Sequence, residues 1–399
     1  MNHPHDLRQP LLTDLEMRLA GIADRARAAD EAGELPPENW REVVDSGYPQ
    51  MFHPVTLGGL ALDGVTQARA METLARACPS TFWSATMSVL VCVKLISTHG
   101  NLDDHRDLIG SLIDGRRLAC FAVVERTSGS DPGTYATTVR RRGDHWVVDG
   151  EKSRVTNATS ADVAVVFARL PEHGDGWCYA FVDLGQERVH TYDIPHLGLR
   201  AMPWGGIVLD GAHVHARDVV PLRLERLSDA MAWGWLFISI AAIAIAESAL
   251  DCAVRHARSQ VAFGRALGHM EAVQSALAQT RVEIDAARLL AYRCAWHRAQ
   301  GRLVPDLVGM LKPYATEMAV RATSRAVQVL GAHSLTPGNP VERLYRDAPM
   351  NVIGGFASNR LRDLVAGQIG LPPTYQPFDW LDGTGLDLDP RGLTGAAGT

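Results

Sequence analysis

Apolar residues recur every three to four positions through Leu12, Leu15, Leu19 and Ile22, and again through Ala68, Met71, Leu74 and Ala75. That period marks helices that each bury one face. Residues 11–113 therefore read as helical, punctuated by Pro36-Pro37 and Gly58-Gly59. Near Leu118 the pattern changes to short β-rich runs, LACFAVVE, HWVVDG, DVAVVFARL, WCYAFVDL and HVHARDVV, which continue to about Pro221. Gly143-Asp144 and Asp149-Gly150 are the sharpest turns among them. After Leu222 the helical period returns. Segments 228–259, 271–300, 305–334 and 341–369 are each long enough for a bundle helix and are divided by links containing Gly or Pro.

This order predicts an α+β chain: a helical domain over 1–116, a β-barrel-like domain over 117–223, a four-helix bundle over 224–371 and an irregular tail over 372–399, rich in Pro, Gly and Asp. A doubly wound nucleotide-binding fold is excluded, because it would alternate strand and helix throughout.

Composition narrows the function classes. The 399 residues are 46% hydrophobic, enough for a large core, and the net charge of −6 offers no general basic field for nucleic acid. The short cluster Arg140 to Arg142 beside Gly143-Asp144 reads as a solvated strand end. Cys78, Cys92, Cys120, Cys178, Cys252 and Cys294 are scattered without a CxxC pair, so neither a zinc site nor another metal centre is expected, and the thiols read as reduced in a cytoplasmic protein. The opening MNHPHDLRQPLL lacks a secretory apolar stretch. The greasiest segment, Met231 to Ala246, falls short of the roughly 18 to 20 residues of a membrane span and ends at Glu247, so it reads as a buried bundle helix. Lysine occurs only at 94, 152 and 312, a bias that points to a GC-rich bacterial genome.

The chemistry is concentrated in three segments. The first, Cys120 to Asp162, contains Glu125, Gly129-Ser130-Asp131, Gly150-x-Lys152 and Arg154-Val155-Thr156-Asn157. Gly129 permits close backbone approach to a flat ring, and Ser130 and Thr156 offer short hydroxyl donors for its polar edge; the same residues also serve as ordinary turn formers. The second is Ala262-Phe263-Gly264-Arg265 with Gln274 beyond it. The third, Ala326 to Met350, carries Gln328 and Gly331, then Glu342, Arg343, Arg346, Asp347 and Ala348. In this order, over about 40–370, they resemble the signatures of the FAD-dependent acyl-CoA dehydrogenase superfamily.

The resemblance implies FAD held by Val124, Gly129, Ser130, Arg154, Thr156, Gln260, Phe263, Gln328 and Gly331, with Thr156 near the reactive N5 atom. It implies a substrate site at Ser130, Trp235, Gly354 and Gly355. The family's chemistry removes a proton α to a thioester carbonyl while the flavin takes a hydride from the β carbon. In the family the Phe263 and Gln328 segments complete a neighbour's cofactor site, so a homodimer or homotetramer is implied. The implied partners are an acyl-CoA or acyl carrier protein thioester and an acceptor such as an electron-transfer flavoprotein or oxygen.

This sequence departs from the family where the base belongs. Counting from Arg346-Asp347-Ala348, the usual catalytic Glu falls on Gly355; the alternative base position, counted back from Phe263, falls on Gly234. The aromatic beside the flavin is Arg154, the Arg before Phe-Gly is Gln260, and the second Gly of a Gly-Gly pair is Ala332. Arg154 reads either as a partner for anionic flavin or substrate or as an outward surface residue. Gln260 removes one positive partner of the cofactor's pyrophosphate. Glu125, Asp229 and Glu247, with His269 and His333, read as structural or solvated. Three functions follow: a thioester-directed oxidoreductase in bacterial lipid or secondary metabolism with a base supplied elsewhere, a monooxygenase using an open Gly-lined pocket at 354–355, or a non-catalytic partner subunit.

Overall fold

The computed structural model describes residues 9–129, 131–173, 176–222, 224–302 and 305–372. Ser130 and nearly all of the expected irregular tail, from 373 onward, lie outside them.

Among the described residues seven α-helices come first: α1 Gln9–Arg18, α2 Ala20–Ala32, α3 Pro37–Asp45, α4 Gly64–Ala77, α5 Pro79–Thr86, α6 Val93–His99 and α7 Leu102–Ile113. Local chemistry sets their ends. Gly33 closes α2 in the left-handed region, Pro37 opens α3, and the side chains of Asp63 and Asn101 accept backbone N–H groups at the starts of α4 and α7. Between α5 and α6 the turn Met87–Cys92 widens to a π-helix.

The β layer contains β1 Ala119–Ala122, β2 Thr138–Arg142, β3 His145–Thr156, β4 Val163–Leu170, β5 Gly176–Asp183, β6 Val189–Asp193, β7 Trp204–Val214 and β8 Val219–Pro221. Their order is β6-β7-β3-β2-β4-β5-β8, with β1 paired in parallel to β4. The alternation along each strand splits the two cores. Ala164, Val166 and Ala168 of β4 and Cys178, Ala180 and Val182 of β5 fill the inside of the β layer, while Val165, Phe167, Tyr179 and Phe181 join the core shared with the helices. The sequence runs anticipate β3, β4 and β5. They miss β2 and β6, whose residues are largely polar and exposed, and most of β7.

The last part holds α8 Leu224–Ser259, the two-residue strands β9 Val261–Ala262 and β10 Arg265–Ala266, then α9 Glu271–Ala299, α10 Pro305–Leu330, α11 Pro340–Ile353 and α12 Ser358–Gln368. Two expectations need correction. The segment 341–369 is two helices, broken where Gly355 and Phe356 take φ values of +65° and +75°. The apolar stretch of α8 extends over Met231–Ser259, 29 residues and long enough to cross a bilayer; 78% of its most apolar window is buried in this fold, as is the same share of Pro79–His99. These are core helices of the bundle and of the layer beneath it.

Candidate functional site

A cavity of about 460 Å³ lies between the β layer and α8, and the loop joining α11 to α12 closes one side of it. The end of β3 forms its β-side wall. Lys152 pairs with Ile207 and Val155 with Gly205, so Ser153 and Arg154 face one residue of β7, a β-bulge that puts Arg154 at φ +57°. Beyond it, Asn157 ties the strand to α5: its Nδ2 donates to Ser84 O at 2.9 Å and Ala119 O at 3.1 Å, and Ser84 Oγ donates to its Oδ1 at 2.6 Å. Thr156 is buried on the cavity wall, and its hydroxyl has the Met202 thioether as its partner at 3.7 Å.

Glu125 acts behind this wall. Its carboxylate accepts from the Ala136 and Thr137 amides, from the Thr137 hydroxyl at 2.6 Å and from Lys152 Nζ at 3.1 Å. Burial pushes the carboxyl up, but these donors outweigh it and hold it below its usual range. Lys152, fully buried, also donates to Val123 O and sits over the Tyr135 ring, while the Tyr135 hydroxyl donates to Gly129 O. The network fixes the 123–129 segment, so Glu125 is structural, as its sequence context implies.

The opposite wall holds Gly234 and Trp235 on α8 and the break at Gly354-Gly355. Both glycines of the expected Gly-lined pocket at 354–355 line the cavity, and their Cβ directions point into packed neighbours. A Cβ at Gly354 would lie 2.7 Å from Trp83 Cη2, and one at Gly355 would lie 2.8 Å from Ile238 Cδ1 and 3.3 Å from Trp235 Cδ1. Trp83 stands against Gly354, and Ile238 with Trp235 against Gly355. Gly234, by contrast, has open space where a Cβ would point. Beneath the loop, fully buried Lys312 donates from Nζ to Val352 O at 2.5 Å and Phe356 O at 2.9 Å, and burial pulls its ammonium down to about 7.

Among the described lining residues, Arg154 carries the one ionisable side chain. Glu247 is instead committed to Arg281 and Arg288; although burial opposes it, these partners hold its carboxyl near 2. Asp229 falls on α8 outside the described side chains. His269 and His333 do not line the cavity; His333 packs on His256 with ring centroids 5.4 Å apart.

The structure thus gathers Val124, Gly129, Arg154, Thr156, Trp235, Gly354 and Gly355 around one cavity. Gln260, Phe263, Gln328 and Gly331 are elsewhere. Gln260 and Phe263 follow α8, Gln328 and Gly331 end α10, and the His256–His333 contact brings these two ends together. Phe263, at φ +52° on the β9–β10 turn, is 95% exposed. Sequence reasoning missed Trp83, Phe237 and the π-helical Met87 and Val91, which complete the wall from the N-terminal helices and α8.

Three family models match in succession: acyl-CoA dehydrogenase N-terminal domain over residues 19–116, middle domain over 120–212 and C-terminal domain over 224–370. The chain belongs to the acyl-CoA dehydrogenase family. The short-chain specific acyl-CoA dehydrogenase of Bos taurus mitochondria is 30% identical to it over 91% of this chain and 89% of that one. A glutaryl-coenzyme A dehydrogenase solved with glutaryl-CoA superposes with a TM-score of 0.88 at 26% identity, covering 94% and 98% of the two chains. A glutaryl-CoA dehydrogenase of Mycobacterium smegmatis, solved in complex with FADH2, has a TM-score of 0.85 at 20% identity, with 92% and 96% covered. Acyl-CoA dehydrogenases are FAD-dependent oxidoreductases of CH–CH groups, and this member has residues that fit such a cofactor. The cavity is largely apolar, a Cβ at Gly129 would meet open space, and the Thr156 hydroxyl has only a weak thioether partner to give up.

Proposed function

We propose that this acyl-CoA dehydrogenase family member is an FAD-dependent oxidoreductase acting on an acyl thioester, carried by CoA or by an acyl carrier protein, in bacterial lipid or secondary metabolism. The observation that carries this reading is the apolar cavity between β3 and α8, with Thr156 on one wall and the Gly355 loop on the other. When bound there, FAD supplies a hydride acceptor. The chain's own residues do the rest. Val124, Gly129 and Thr156 hold the ring, Thr156 through its hydroxyl; the indoles of Trp83 and Trp235 exclude water; and Arg154 places positive charge at the rim. Among the described lining residues there is no carboxylate or imidazole to take the α proton, so the base is either supplied by the substrate or lies outside those residues.

The lack of an acid among the described lining residues supports a second reading, a flavin-dependent monooxygenase, because oxygen chemistry on a reduced flavin does not need the family Glu. The third, a non-catalytic partner subunit, predicts no cofactor. Anaerobic titration separates them. Yellow protein bleached by an acyl thioester supports the first. Flavin untouched by every thioester, with substrate oxygenation once a flavin reductase is supplied, replaces it with the second, and colourless protein that refuses added FAD leaves the third.

The proposed assembly is a homodimer or homotetramer in the cytoplasm, passing electrons to an electron-transfer flavoprotein or to oxygen. Phe263 supports it: its ring, 95% exposed on a turn held at φ +52°, is available to pack against a second copy. Gln260, Gln328 and Gly331 near that turn would meet the neighbour's cofactor.

A further inference from the structure

Three tryptophans stand among the described lining residues of the cavity, and they differ in what their N–H groups do. Trp83 Nε1 donates to Asn351 Oδ1 at 3.2 Å, and Trp235 Nε1 donates to Gly355 O at 2.7 Å. The half-buried Trp204 has no hydrogen-bond partner for its Nε1 among the described residues. The rest of Trp204 is fixed. It opens β7 and pairs with Thr156 of β3, its carbonyl accepts from the Ile194 amide at 2.9 Å, and its ring meets that of His196 with centroids 5.1 Å apart. Both nitrogens of His196 lie within hydrogen-bond distance of carbonyls, Ile194 O at 2.9 Å and Leu199 O at 3.1 Å, so the imidazole is held against the indole. Residues directly opposite on antiparallel strands put their side chains on one face, about 5 Å apart. Trp204 therefore stands beside Thr156, whose hydroxyl has only the Met202 thioether at 3.7 Å.

We infer that the indole N–H of Trp204 is a second donor to bound FAD: it holds the carbonyl oxygen next to N5 of the ring, while the Thr156 hydroxyl serves N5 itself. This rests on the reading above that places the ring against Thr156. Two neighbouring donors on one wall of a largely apolar cavity select a ligand with two neighbouring acceptors, and the edge of the isoalloxazine ring that carries N5 and the C4 carbonyl has them. The indole of Trp204 thus does for the cofactor what those of Trp83 and Trp235 do for the protein. His196 is a positioning residue, acting only through the ring it packs against.

Trp204→Phe keeps an aromatic ring and removes the donor. FAD dissociation constants are measured on the full-length protein, and infrared spectra are recorded on the loaded protein with the ring's C4 carbonyl labelled with carbon-13. The variant should bind FAD about 3- to 10-fold more weakly, the worth of one hydrogen bond. Its labelled carbonyl stretch should move to higher frequency, because a carbonyl that loses a donor stiffens. Melting of the FAD-free protein should be unchanged. The frequency is the deciding readout, since a tryptophan that served only packing would leave it where it is. Trp204→Leu gives the same shift and serves if Trp204→Phe does not fold. An unshifted stretch in these variants, with flavin reduction slowed in Thr156→Val, overturns the assignment of Trp204 alone. If the Trp204 variants leave the stretch in place and Thr156→Val leaves reduction unchanged, the ring does not lie against this wall, and the placement at Thr156 falls together with the second donor.

Discussion

The indole N–H of Trp235 donates to the carbonyl oxygen of Gly355 at 2.7 Å, across 120 residues of sequence. The loop between α11 and α12 is thereby fastened to α8. Gly355 is left-handed, and any side chain there meets Ile238 and Trp235.

If the resemblance places the family base at Gly355 or Gly234, a carboxylate should work at one glycine and fail at the other. Gly355→Glu costs about 1–2 kcal/mol for the left-handed backbone and a further ~1–3 kcal/mol for overpacking. It is expected to lower the melting temperature without creating dehydrogenation of a simple acyl-CoA. Gly234→Glu has open space and gains helix propensity. It should fold, bind FAD and raise α,β-dehydrogenation by about 10²-fold or more. Stopped-flow flavin reduction checks both, and activity in Gly355→Glu alone would reverse the assignment.

Thr156→Val keeps volume and removes one hydroxyl. In the protein that hydroxyl has only the Met202 thioether at 3.7 Å, so folding stability should change by less than about 0.5 kcal/mol. If the hydroxyl holds the flavin's polar edge, reduction by substrate or by dithionite should slow by about 3- to 10-fold, the worth of one hydrogen bond. Equal rates in wild type and variant would remove Thr156 from the cofactor's contacts.

Periodicity carried the order of the layers, because helix-spaced and β-rich runs change abruptly at Leu118 and Leu222. It failed where one residue's meaning depends on a distant one. Gly354 and Gly355 read as a Gly-lined pocket; only the fold shows that Trp83, Ile238 and Trp235 stand against their Cβ positions. The run 341–369 keeps an apolar period across its break, which outweighed the Gly354-Gly355 pair that ends α11 at Ile353. β2 and β6 are polar because much of each faces solvent, which erases the alternation that reveals β3 and β4. Lys312, one of three lysines, is fully buried on a helix face that also carries Thr316 and Thr323.

Glu125→Gln should be among the most damaging conservative changes. It puts an amide among the donors of Ala136, Thr137 and Lys152 and leaves the Lys152 charge without its buried partner. A loss of about 3–5 kcal/mol is expected from urea unfolding. FAD affinity should fall too, since Glu125 and Lys152 fix the segment that ends at Gly129. A variant as stable as wild type would show that the network contributes nothing net.

Lys312 gives a pH dependence whose sign is fixed. Burial is the main cause of its lowered affinity for protons, with Glu317 pushing the other way, and its ammonium titrates at about 7 in the folded protein against an ordinary 10.5. Between those values the unfolded chain binds more protons than the folded one, so this residue makes stability rise with pH across that window. Below about 7 the folded protein bears the cost of a buried charge. The neutral amine still has N–H donors for the carbonyls of Val352 and Phe356, so the loop remains strapped as the proton leaves. Lys312→Met removes both donors and the titration. It should be less stable than wild type at pH 9, with two buried carbonyls left unpaired at about 1–3 kcal/mol each. The gap between the two proteins should widen from pH 7 to pH 9, by no more than about 1.4 kcal/mol per unit. Lys152, which titrates near 8, is present in both proteins and cancels in the difference. Urea unfolding at pH 7, 8 and 9 measures the gap; a constant or narrowing one would mean that the ammonium stays charged beneath the loop.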